Sequence, residues 1–287
     1  MPVFVGCDLG TMGTKAAVVD LEGRLLGDAF EEVPLRSPRP GWVEQDLEEI
    51  EASAHRTIRA ALAASGRAAD VAGVAFSGQM SGIGAVDERY RPAVRFDSWL
   101  DTRCEPYIAA MNEHAVRVIE LSGCPPTYSH GPKILWWRRE RPNDYRRVAR
   151  FVVPGAFVAG RLCDLAAQDA FIDRTYLHFS NLSDTRRAAW SPELLDAFGV
   201  EVQVLPRIVD PLDVVGEVSP AGRRPPASPP APRSRPAPAT RPRRRWAPGS
   251  WTPGRPSIRP APPAYSPCVW TPSPRTSPTG LSWRPTR

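Results

Sequence analysis

The sequence predicts a mixed α/β fold for residues 1–221 and a different kind of segment for residues 222–287. Three observations lead to this prediction: an opening run of short strands between glycine turns, an amphipathic helix that leads into a buried strand, and an abrupt change of composition after Pro220. Strands that alternate with helices indicate a sheet with helices packed on it. We therefore expect one α/β domain followed by a disordered or extended Pro/Arg-rich tail.

The first thirty residues have the pattern of an antiparallel β-meander. Val3 to Asp8 is short and rich in β-formers, Leu9 to Thr14 is punctuated by glycines, and Lys15 to Asp20 is again mostly apolar. Glu22-Gly23 is a second turn signal, and Arg24 to Phe30 predicts a third strand.

A helix is predicted from Asp46, which suits the N-cap position because its carboxylate can accept from a free backbone N–H group. Glu48 and Glu49 follow in the first turn, where the helix dipole favours negative charge. Apolar residues then recur at three- and four-residue steps and define one face: Leu47, Ile50, Ala54, Ile58 and Leu62. The apolar run 71–76 predicts a buried strand beside this helix.

Residues 105–121 and 133–153 are predicted to be mainly helical. A later helix has a clear start, because Ser191 suits the N-cap and Pro192 suits the first helical position. About 220 residues of this kind suffice for a sizeable hydrophobic core.

Composition divides the chain at the same place as the fold prediction. Residues 222–287 hold 19 of the 34 prolines and 13 arginines, with no lysine, aspartate or glutamate. Subtracting those 13 arginines from the 37 basic residues leaves 24 against 31 acidic residues, so residues 1–221 carry a net charge of about −7. The overall charge of +6 averages an acidic domain with a basic tail.

Cysteine usage and hydropathy indicate a cytoplasmic protein. The five cysteines form no CxxC pair, which argues against a disulfide framework or a zinc site. No signal-peptide pattern precedes Asp8, and no apolar run approaches the roughly 20 residues needed to span a bilayer. We expect no membrane association.

The first motif that can carry chemistry runs from Asp8 to Lys15. Backbone N–H groups at the glycines, beginning with Gly10, and the hydroxyls of Thr11 and Thr14 can donate to phosphate oxygens. Asp8 can hold Mg²⁺ through water, because that ion keeps several of its waters. The motif is not a Walker A sequence, since it leads into a strand. The alternative interpretation is an ordinary tight turn.

Two further motifs place polar residues after apolar runs. Gln79, Met80 and Ser81 lie between glycines at the end of the predicted strand 71–76, which suits a ligand crevice. Asp101 and Arg103 follow Trp99 and can either bind sugar hydroxyls or form a structural salt bridge. The element 41–46 taken alone indicates a loop and a helix start.

The order of these motifs resembles the FGGY family of carbohydrate kinases, and xylulose kinases in particular. That family opens with DxGTxxxK and continues with W-x-E-Q-D, GQMHG, W-N-D-x-R and P-K-L-x-W elements. The matching segments here are Asp8–Lys15, Trp42–Asp46, Gly78–Gly82, Trp99–Arg103 and Pro132–Trp136. The resemblance covers roughly residues 3–220, and five matches in order are far more specific than any one of them.

The resemblance implies a ribonuclease-H-like fold, as in hexokinases and actin, with ATP and Mg²⁺ as cofactors and a sugar or polyol as substrate. It implies that the Asp8 hairpin faces the ATP phosphates and that the sugar side carries Gln79, Met80, Ser81, Asp101 and Arg103. Ser81 stands where xylulose kinases usually carry His, and Leu100 stands where they carry Asn. The substrates implied are therefore a pentulose such as xylulose, another ketose or a related polyol.

The catalytic base that the resemblance implies is missing. The family carries it as an Asp in a G-[AG]-G-D-[QN] motif some 20–30 residues after a Val-Gly landmark, here Val215-Gly216, whereas this sequence has no Asp or Glu beyond Glu217. We expect no phosphoryl transfer by the chain alone. We hypothesise a one-nucleotide frameshift shortly after Pro220, because G/C-ending codons for residues 228–255 can encode a family-like Gly-Asp-Gln stretch in another frame.

Two alternatives to a kinase stay open from the sequence. Residues 1–220 can act as a non-catalytic sugar-binding remnant or regulator. The tail can bind nucleic acid by counterion release, with base stacking on Trp246, Trp251, Trp270 and Trp283. We favour a coding accident as the origin of its basicity, and the resemblance leaves room for a homodimer of the intact family member.

Overall fold

The computed structural model describes residues 1–223 and 265–268, and within them it places thirteen strands, seven α-helices and four short 3-10 helices. The strands are β1 Val3–Leu9, β2 Gly13–Val19, β3 Leu25–Glu32, β4 Glu44–Gln45, β5 Val71–Gly78, β6 Ile83–Val86, β7 Pro92–Asp97, β8 Arg150–Val152, β9 Phe171–Asp173, β10 Ser183–Asp184, β11 Ala189–Trp190, β12 Arg207–Val209 and β13 Tyr265–Cys268. The α-helices are α1 Leu47–Ser65, α2 Glu105–Asn112, α3 Ala115–Ser122, α4 His130–Glu140, α5 Pro142–Tyr145, α6 Pro154–Cys163 and α7 Pro192–Phe198. The 3-10 helices are Ala68–Asp70, Ala167–Asp169, Arg174–Phe179 and Val202–Val204.

The larger sheet has the strand order β13–β5–β1–β2–β3. Strands β1, β2 and β3 pair antiparallel, which confirms the predicted meander, and β5 joins β1 in parallel. Leu9 is registered against Thr14 on one side and Gly78 on the other. The tip of the β1–β2 hairpin and the carboxyl end of β5 therefore lie at the same edge of the sheet, which is where the sequence places its polar motifs.

Helix α1 covers one face of this sheet and begins as predicted. The Asp46 carboxylate accepts a hydrogen bond from the backbone N–H of Glu48 at 2.9 Å. Gly66 ends the helix with a φ of +63°, a left-handed conformation that glycine adopts without a steric penalty. Leu47, Ile50 and Ala54 on the predicted apolar face are buried in the main core.

A second sheet, with the order β4–β7–β6–β8, lies under the tryptophan-bearing helix α4. Within residues 133–153, which were predicted to be mainly helical, α4 and α5 cover residues 133–140 and 142–145, and strand β8 is an element that the sequence pattern did not predict. Pro142 starts the separate short helix α5, and β8 then pairs antiparallel with β6. Phe151 and Val152 are fully buried in this pairing, so long-range packing overrides the local helical pattern.

The remaining helix predictions agree with the structure. The segment 105–121 forms α2 and α3, separated by a short break. At α7 the hydroxyl of Ser191 accepts from the backbone N–H of Leu194 at 3.3 Å, and Pro192 occupies the first turn. None of the helices in the described part of the chain combines the length and the apolar character that crossing a bilayer requires.

Strand β13 lies within the predicted tail. Its four residues pair antiparallel with Val74–Ser77 and form the edge of the larger sheet. The outer edge of β5 offers free backbone groups, and Pro267 is tolerated because an edge strand need not donate every backbone N–H group. The other residues of the predicted tail, 224–264 and 269–287, lie outside the described residues, and the division at residue 221 stays a prediction.

Candidate phosphate and substrate site

The β1–β2 hairpin turns through Gly10, Thr11 and Met12, and the backbone N–H of Gly10 donates to the carbonyl of Gly13 at 3.0 Å. Close packing explains the second glycine. A Cβ atom on Gly13 would lie 2.3 Å from the carbonyl oxygen of Glu31 on β3, well inside any real contact. The turn is therefore tight, and it leaves the side chain of Met12 72% exposed.

Asp8 lies one residue before the end of β1, half-buried, with Lys15 opposite it on β2. The Ser77 hydroxyl on β5 donates to Asp8 Oδ1 at 3.0 Å, and within the described residues Oδ2 has no donor. Asp8, Lys15 and Ser77 line a depression of about 590 Å³ on the open face of the larger sheet. A carboxylate and an ammonium group are thus available together beside the glycine turn.

The prediction that the Thr14 hydroxyl faces a phosphate is wrong. Thr14 is only 1% exposed, and its hydroxyl shares a 2.6 Å hydrogen bond with the hydroxyl of Ser53 on α1. Side chains alternate between the faces of a strand, and Thr14 lies on the face that α1 covers. Thr11, at the tip, is half-buried and accessible.

Hydrogen bonds join the hairpin tip to three other motifs. The indole N–H of Trp99 donates to the Thr11 hydroxyl at 2.8 Å, and the Gln45 amide donates to the Thr11 carbonyl at 3.2 Å. The Gln79 amide then donates to Gln45 Oε1 at 2.6 Å. We call Trp99, Thr11, Gln45 and Gln79 the polar relay. It brings together residues that are up to 88 positions apart in the sequence.

Gln79 occupies the predicted position at the carboxyl end of β5. Its backbone N–H donates to the carbonyl of Leu9 at 3.1 Å, which fixes it against the hairpin. Its side-chain oxygen Oε1 is buried and has no hydrogen-bond partner in the described part of the chain. A buried acceptor without a donor is costly, so this oxygen is suited to accept a hydrogen bond from a hydroxyl group of a bound molecule.

Met80 and Ser81 follow Gln79 and are both half-buried. Met80 packs against the main core. Ser81 has a φ of +63°, an uncommon conformation for a residue other than glycine, asparagine or aspartate. Gly82 cannot carry a side chain, because a Cβ atom there would lie 2.3 Å from the ring of Phe96. The loop is thus held in a strained form beside the polar relay.

Asp101 and Arg103, which the sequence assigns to the sugar, face each other inside the protein. Asp101 is 0% exposed, and its Oδ2 accepts from the Arg103 guanidinium at 2.6 Å and from the backbone N–H of Val43 at 2.6 Å. Arg103 also donates to Glu44 at 2.7 Å, and its guanidinium stacks 3.8 Å from the centroid of the Trp42 ring. These contacts support the salt-bridge alternative, but Arg103 Nη1 is buried without a hydrogen-bond partner in the described residues, and the assignment of Asp101 and Arg103 to the sugar side stays a prediction.

Two more charged residues lie beneath the Trp99 turn. Asp97 is fully buried, 3.5 Å from Arg103 and hydrogen-bonded to the Trp137 indole at 2.6 Å. Burial raises the pKa of Asp97 to about 7, against the opposite effect of Arg103 and Lys133. Lys133 is 0% exposed, and its ammonium donates to the carbonyls of Ser98 and Asp101 at 3.1 and 2.9 Å. It thereby holds the turn that carries Trp99.

His130 is a buried histidine at the start of α4. Both ring nitrogens lack a hydrogen-bond partner in satisfactory geometry within the described residues, although the backbone of Gly82 lies near. Burial lowers the pKa of His130 to about 3, and the positive charges of Lys133 and His178 act in the same direction. Burial likewise lowers the pKa of His178, which is half-buried.

Sequence reasoning missed Gln45 as a site residue. The element 41–46 reads locally as a loop and a helix start, and only the fold brings the Gln45 amide between the hairpin and β5.

No group of three or more His, Cys, Asp or Glu side chains in the described residues could hold a metal ion. A single carboxylate such as that of Asp8 fits a cation that keeps most of its waters, as Mg²⁺ does.

Comparison with known proteins gives a family match over most of the described chain. The sequence profile of the FGGY family of carbohydrate kinases, N-terminal domain, matches residues 3–224. A xylulose kinase from Klebsiella pneumoniae is 26% identical over 223 residues, which cover 76% of this chain and 44% of that protein. The chain thus spans less than half the length of this curated relative.

Solved structures of similar proteins share the fold. A xylulose kinase from Brucella ovis superimposes with a TM-score of 0.71 at 25% identity, covering 76% of this chain and 44% of that one. A glycerol kinase from Plasmodium falciparum, solved with ADP, has a TM-score of 0.70 at 19% identity, with 78% of this chain and 46% of that one covered. The predicted α/β fold of the ribonuclease-H-like type is confirmed.

Proposed function

Because the chain belongs to the FGGY family of carbohydrate kinases, we propose that it forms the half of such an enzyme that holds the sugar and faces the ATP phosphates. The reaction of the intact enzyme would transfer the γ-phosphate of ATP to a hydroxyl of a pentulose such as xylulose, or of a related polyol. The observation that carries the proposal is the polar relay, which connects the glycine hairpin to an unpaired acceptor on Gln79.

On the phosphate side we assign Asp8, Gly10, Thr11 and Lys15. The N–H of Gly10 is bonded to the Gly13 carbonyl, so Gly10 would act by shaping a turn in which the backbone N–H groups of Thr11 and Met12 face anionic oxygens. The Thr11 hydroxyl can still donate while it accepts from the Trp99 indole. Lys15 supplies positive charge on the open face of the sheet. Asp8 would hold Mg²⁺ through water, and that ion would neutralise charge on the phosphates.

On the sugar side we assign Gln79, Met80 and Ser81. Gln79 Oε1 would accept from a sugar hydroxyl, since it has no donor in the described part of the protein. Ser81 adds a small hydroxyl on a strained loop, which leaves room for a ketose or a polyol. Asp101 and Arg103 act behind this surface by fixing the Trp99 turn, and they make no contact with the substrate in this proposal.

We further propose that this sequence binds ligands but does not complete phosphoryl transfer. Transfer needs a base near the attacking hydroxyl and a clamp on the phosphates, and this sequence has no Asp or Glu after Glu217. Loss of a general base alone typically forfeits 10²- to 10⁴-fold in rate. The frameshift hypothesis explains that composition, and sequencing the gene across the codons for residues 215–245 tests it.

The purified 287-residue chain tests the function. We expect calorimetry to detect binding of Mg-ADP and of D-xylulose or another ketose. We expect the release of ADP from ATP to stay at the background rate. Asp8→Asn should weaken only the nucleotide, and Gln79→Leu should weaken only the sugar. Ketose-dependent consumption of ATP would overturn the proposed inactivity. A chain that binds neither ligand at millimolar concentration would overturn the proposed function.

A further inference from the structure

Gln45 is the interior member of the polar relay. It lies on β4, is 0% exposed, and is joined through β7 to the second sheet. Its Nε2 donates to the carbonyl of Thr11 at the hairpin tip, and its Oε1 accepts from the amide of Gln79. One amide group thus contacts both sides of the proposed site at once.

The two hydrogen bonds of Gln45 use opposite ends of its amide. Rotating the amide by half a turn would set N–H against N–H and oxygen against oxygen, so both bonds would be lost together. In a buried position water cannot replace them, and an unpaired amide is costly. The orientation of the Gln79 side chain therefore depends on where the Thr11 carbonyl lies.

Trp99 contacts the same hairpin residue from the other side. Its indole N–H donates to the Thr11 hydroxyl, although the side chain is 47% exposed. Buried Lys133 bonds the carbonyls of Ser98 and Asp101 and so fixes the turn on which Trp99 stands. Thr11 is consequently held by its carbonyl and by its hydroxyl, and any ligand that moves the hairpin tip disturbs both contacts.

We propose that Gln45 is a positioning residue that couples the phosphate side to the sugar side. Resting on the proposed function, the inference is that nucleotide binding at the hairpin orients Gln79 Oε1 for a sugar hydroxyl. A bound sugar strengthens nucleotide binding by the same factor, because coupling between two ligands is reciprocal. Gln45 itself touches neither ligand and acts through Thr11 and Gln79.

The test measures the affinity of the full-length chain for Mg-ADP with and without saturating D-xylulose. We expect xylulose to tighten Mg-ADP binding by about fivefold or more in the unaltered chain, the lower end of typical coupling. Gln45→Met keeps the length of the side chain but forms neither hydrogen bond. It should reduce the coupling factor to about one.

Gln45→Glu gives a readout that loss of packing cannot imitate. A neutral glutamic acid can donate to the Thr11 carbonyl and accept from Gln79, whereas the ionised carboxylate can only accept. Burial raises the pKa of such a carboxyl group, so the neutral form is accessible at mildly acidic pH. Coupling should therefore return in this variant at pH 5 and be absent at pH 8, with no such return in Gln45→Met.

A ligand-free readout keeps the inference separate from the proposed function. Hydrogen exchange at the Trp99 indole N–H, assigned by its loss in Trp99→Phe, should accelerate in Gln45→Met. It should stay unchanged in Ser129→Ala, which removes a buried hydrogen bond to Asn181 away from the relay. Unchanged exchange and unchanged coupling in Gln45→Met would overturn the inference. Binding of neither ligand would overturn the proposed function and ligand coupling, while indole exchange still decides whether Gln45 holds the hairpin tip.

Discussion

The β1–β2 hairpin and the Trp99–Arg103 turn are both short polar motifs at the end of a strand, yet the fold treats them in opposite ways. The hairpin keeps Asp8 half-buried and Lys15 exposed, within reach of a ligand. The turn buries Asp101 completely and pairs it with Arg103. A motif's polar groups serve a ligand only where the protein itself leaves their hydrogen-bonding capacity unused.

The difference arises from which neighbours the fold supplies. Arg103 meets two carboxylates, Asp101 and Glu44, within 2.7 Å and the face of Trp42, so its charge is neutralised without solvent. Asp8 meets one hydroxyl group, from Ser77. Charge that is compensated inside stabilises one arrangement of the chain, whereas charge left partly open can be compensated by Mg²⁺ or phosphate.

Arg103→Met should show the largest effect on the free energy of unfolding, because it removes the cation from the buried charge network of the Trp99–Arg103 turn. Removing one partner of a buried ion network typically costs about 3–5 kcal/mol, since the remaining carboxylates stay buried without compensation. Urea unfolding measures the change. Arg95→Met, which removes an exposed pair with Asp46, should cost less than about 1 kcal/mol. Equal losses in the two variants would contradict the assignment.

His130→Phe tests the burial of this histidine through the pH dependence of the free energy of unfolding. The pKa of His130 is about 3 in the folded state and near its ordinary value when unfolded, so the unfolded chain binds the extra proton as pH falls below 6.5. From pH 7 to pH 5 the histidine should lower the free energy of unfolding by about 2 kcal/mol. That loss should be absent in the variant.

Because the pKa of Asp97 is raised to about 7, its contribution to stability changes in the opposite direction over the same range. The quantity to compare is therefore the difference between the unaltered chain and His130→Phe at each pH, from urea unfolding at pH 7, 6 and 5. A difference that does not change with pH would mean that His130 is solvated or paired.

Thr14→Val and Thr11→Val separate two threonines of one hairpin. Thr14 shares a buried hydrogen bond with Ser53, and its loss should lower the free energy of unfolding by about 1 kcal/mol. Ser53 still donates to the carbonyl of Ile50, which limits the damage. Thr11→Val should cost less than about 0.5 kcal/mol and instead weaken Mg-ADP binding. The reverse order in thermal unfolding would refute the placement of the two side chains.

Asp8→Asn should have the smallest effect on stability, and it tests whether the half-buried carboxylate of the hairpin serves a ligand. The carboxylate makes one hydrogen bond in the described structure, so the free energy of unfolding should change by less than about 0.5 kcal/mol. Mg-ADP affinity in calorimetry should nevertheless fall by about tenfold or more, equivalent to about 1.4 kcal/mol. A stability loss without a binding loss would make Asp8 a structural residue.

Local features of the sequence were the most predictable. The meander, the Asp46 cap and the Ser191 cap depend on contacts within a few residues, and each agrees with the structure. The order of the motifs also indicated the family before any contact was known.

The hydrogen bonds that could not be predicted are those between residues far apart in the sequence. The bond between Gln45 and Gln79 spans 34 positions, and the bond between Arg103 and Glu44 spans 59. No local pattern states which side chain will meet which, so Asp101 and Arg103 kept two interpretations and Gln45 had none. Strand β8 was missed for the same reason, since burial of Phe151 depends on β6.

The left-handed backbone at Ser81 limits how the proposed sugar site can change. Few side chains accept a φ of +63° without strain, so glycine, asparagine and aspartate are the inexpensive replacements. Glycine would relax the loop and raise the melting temperature, but it would also remove the hydroxyl that the proposed function assigns to the sugar side, so stability and sugar recognition would favour different residues at position 81. Variation in sugar preference should therefore accumulate at neighbouring positions more readily than at residue 81 itself.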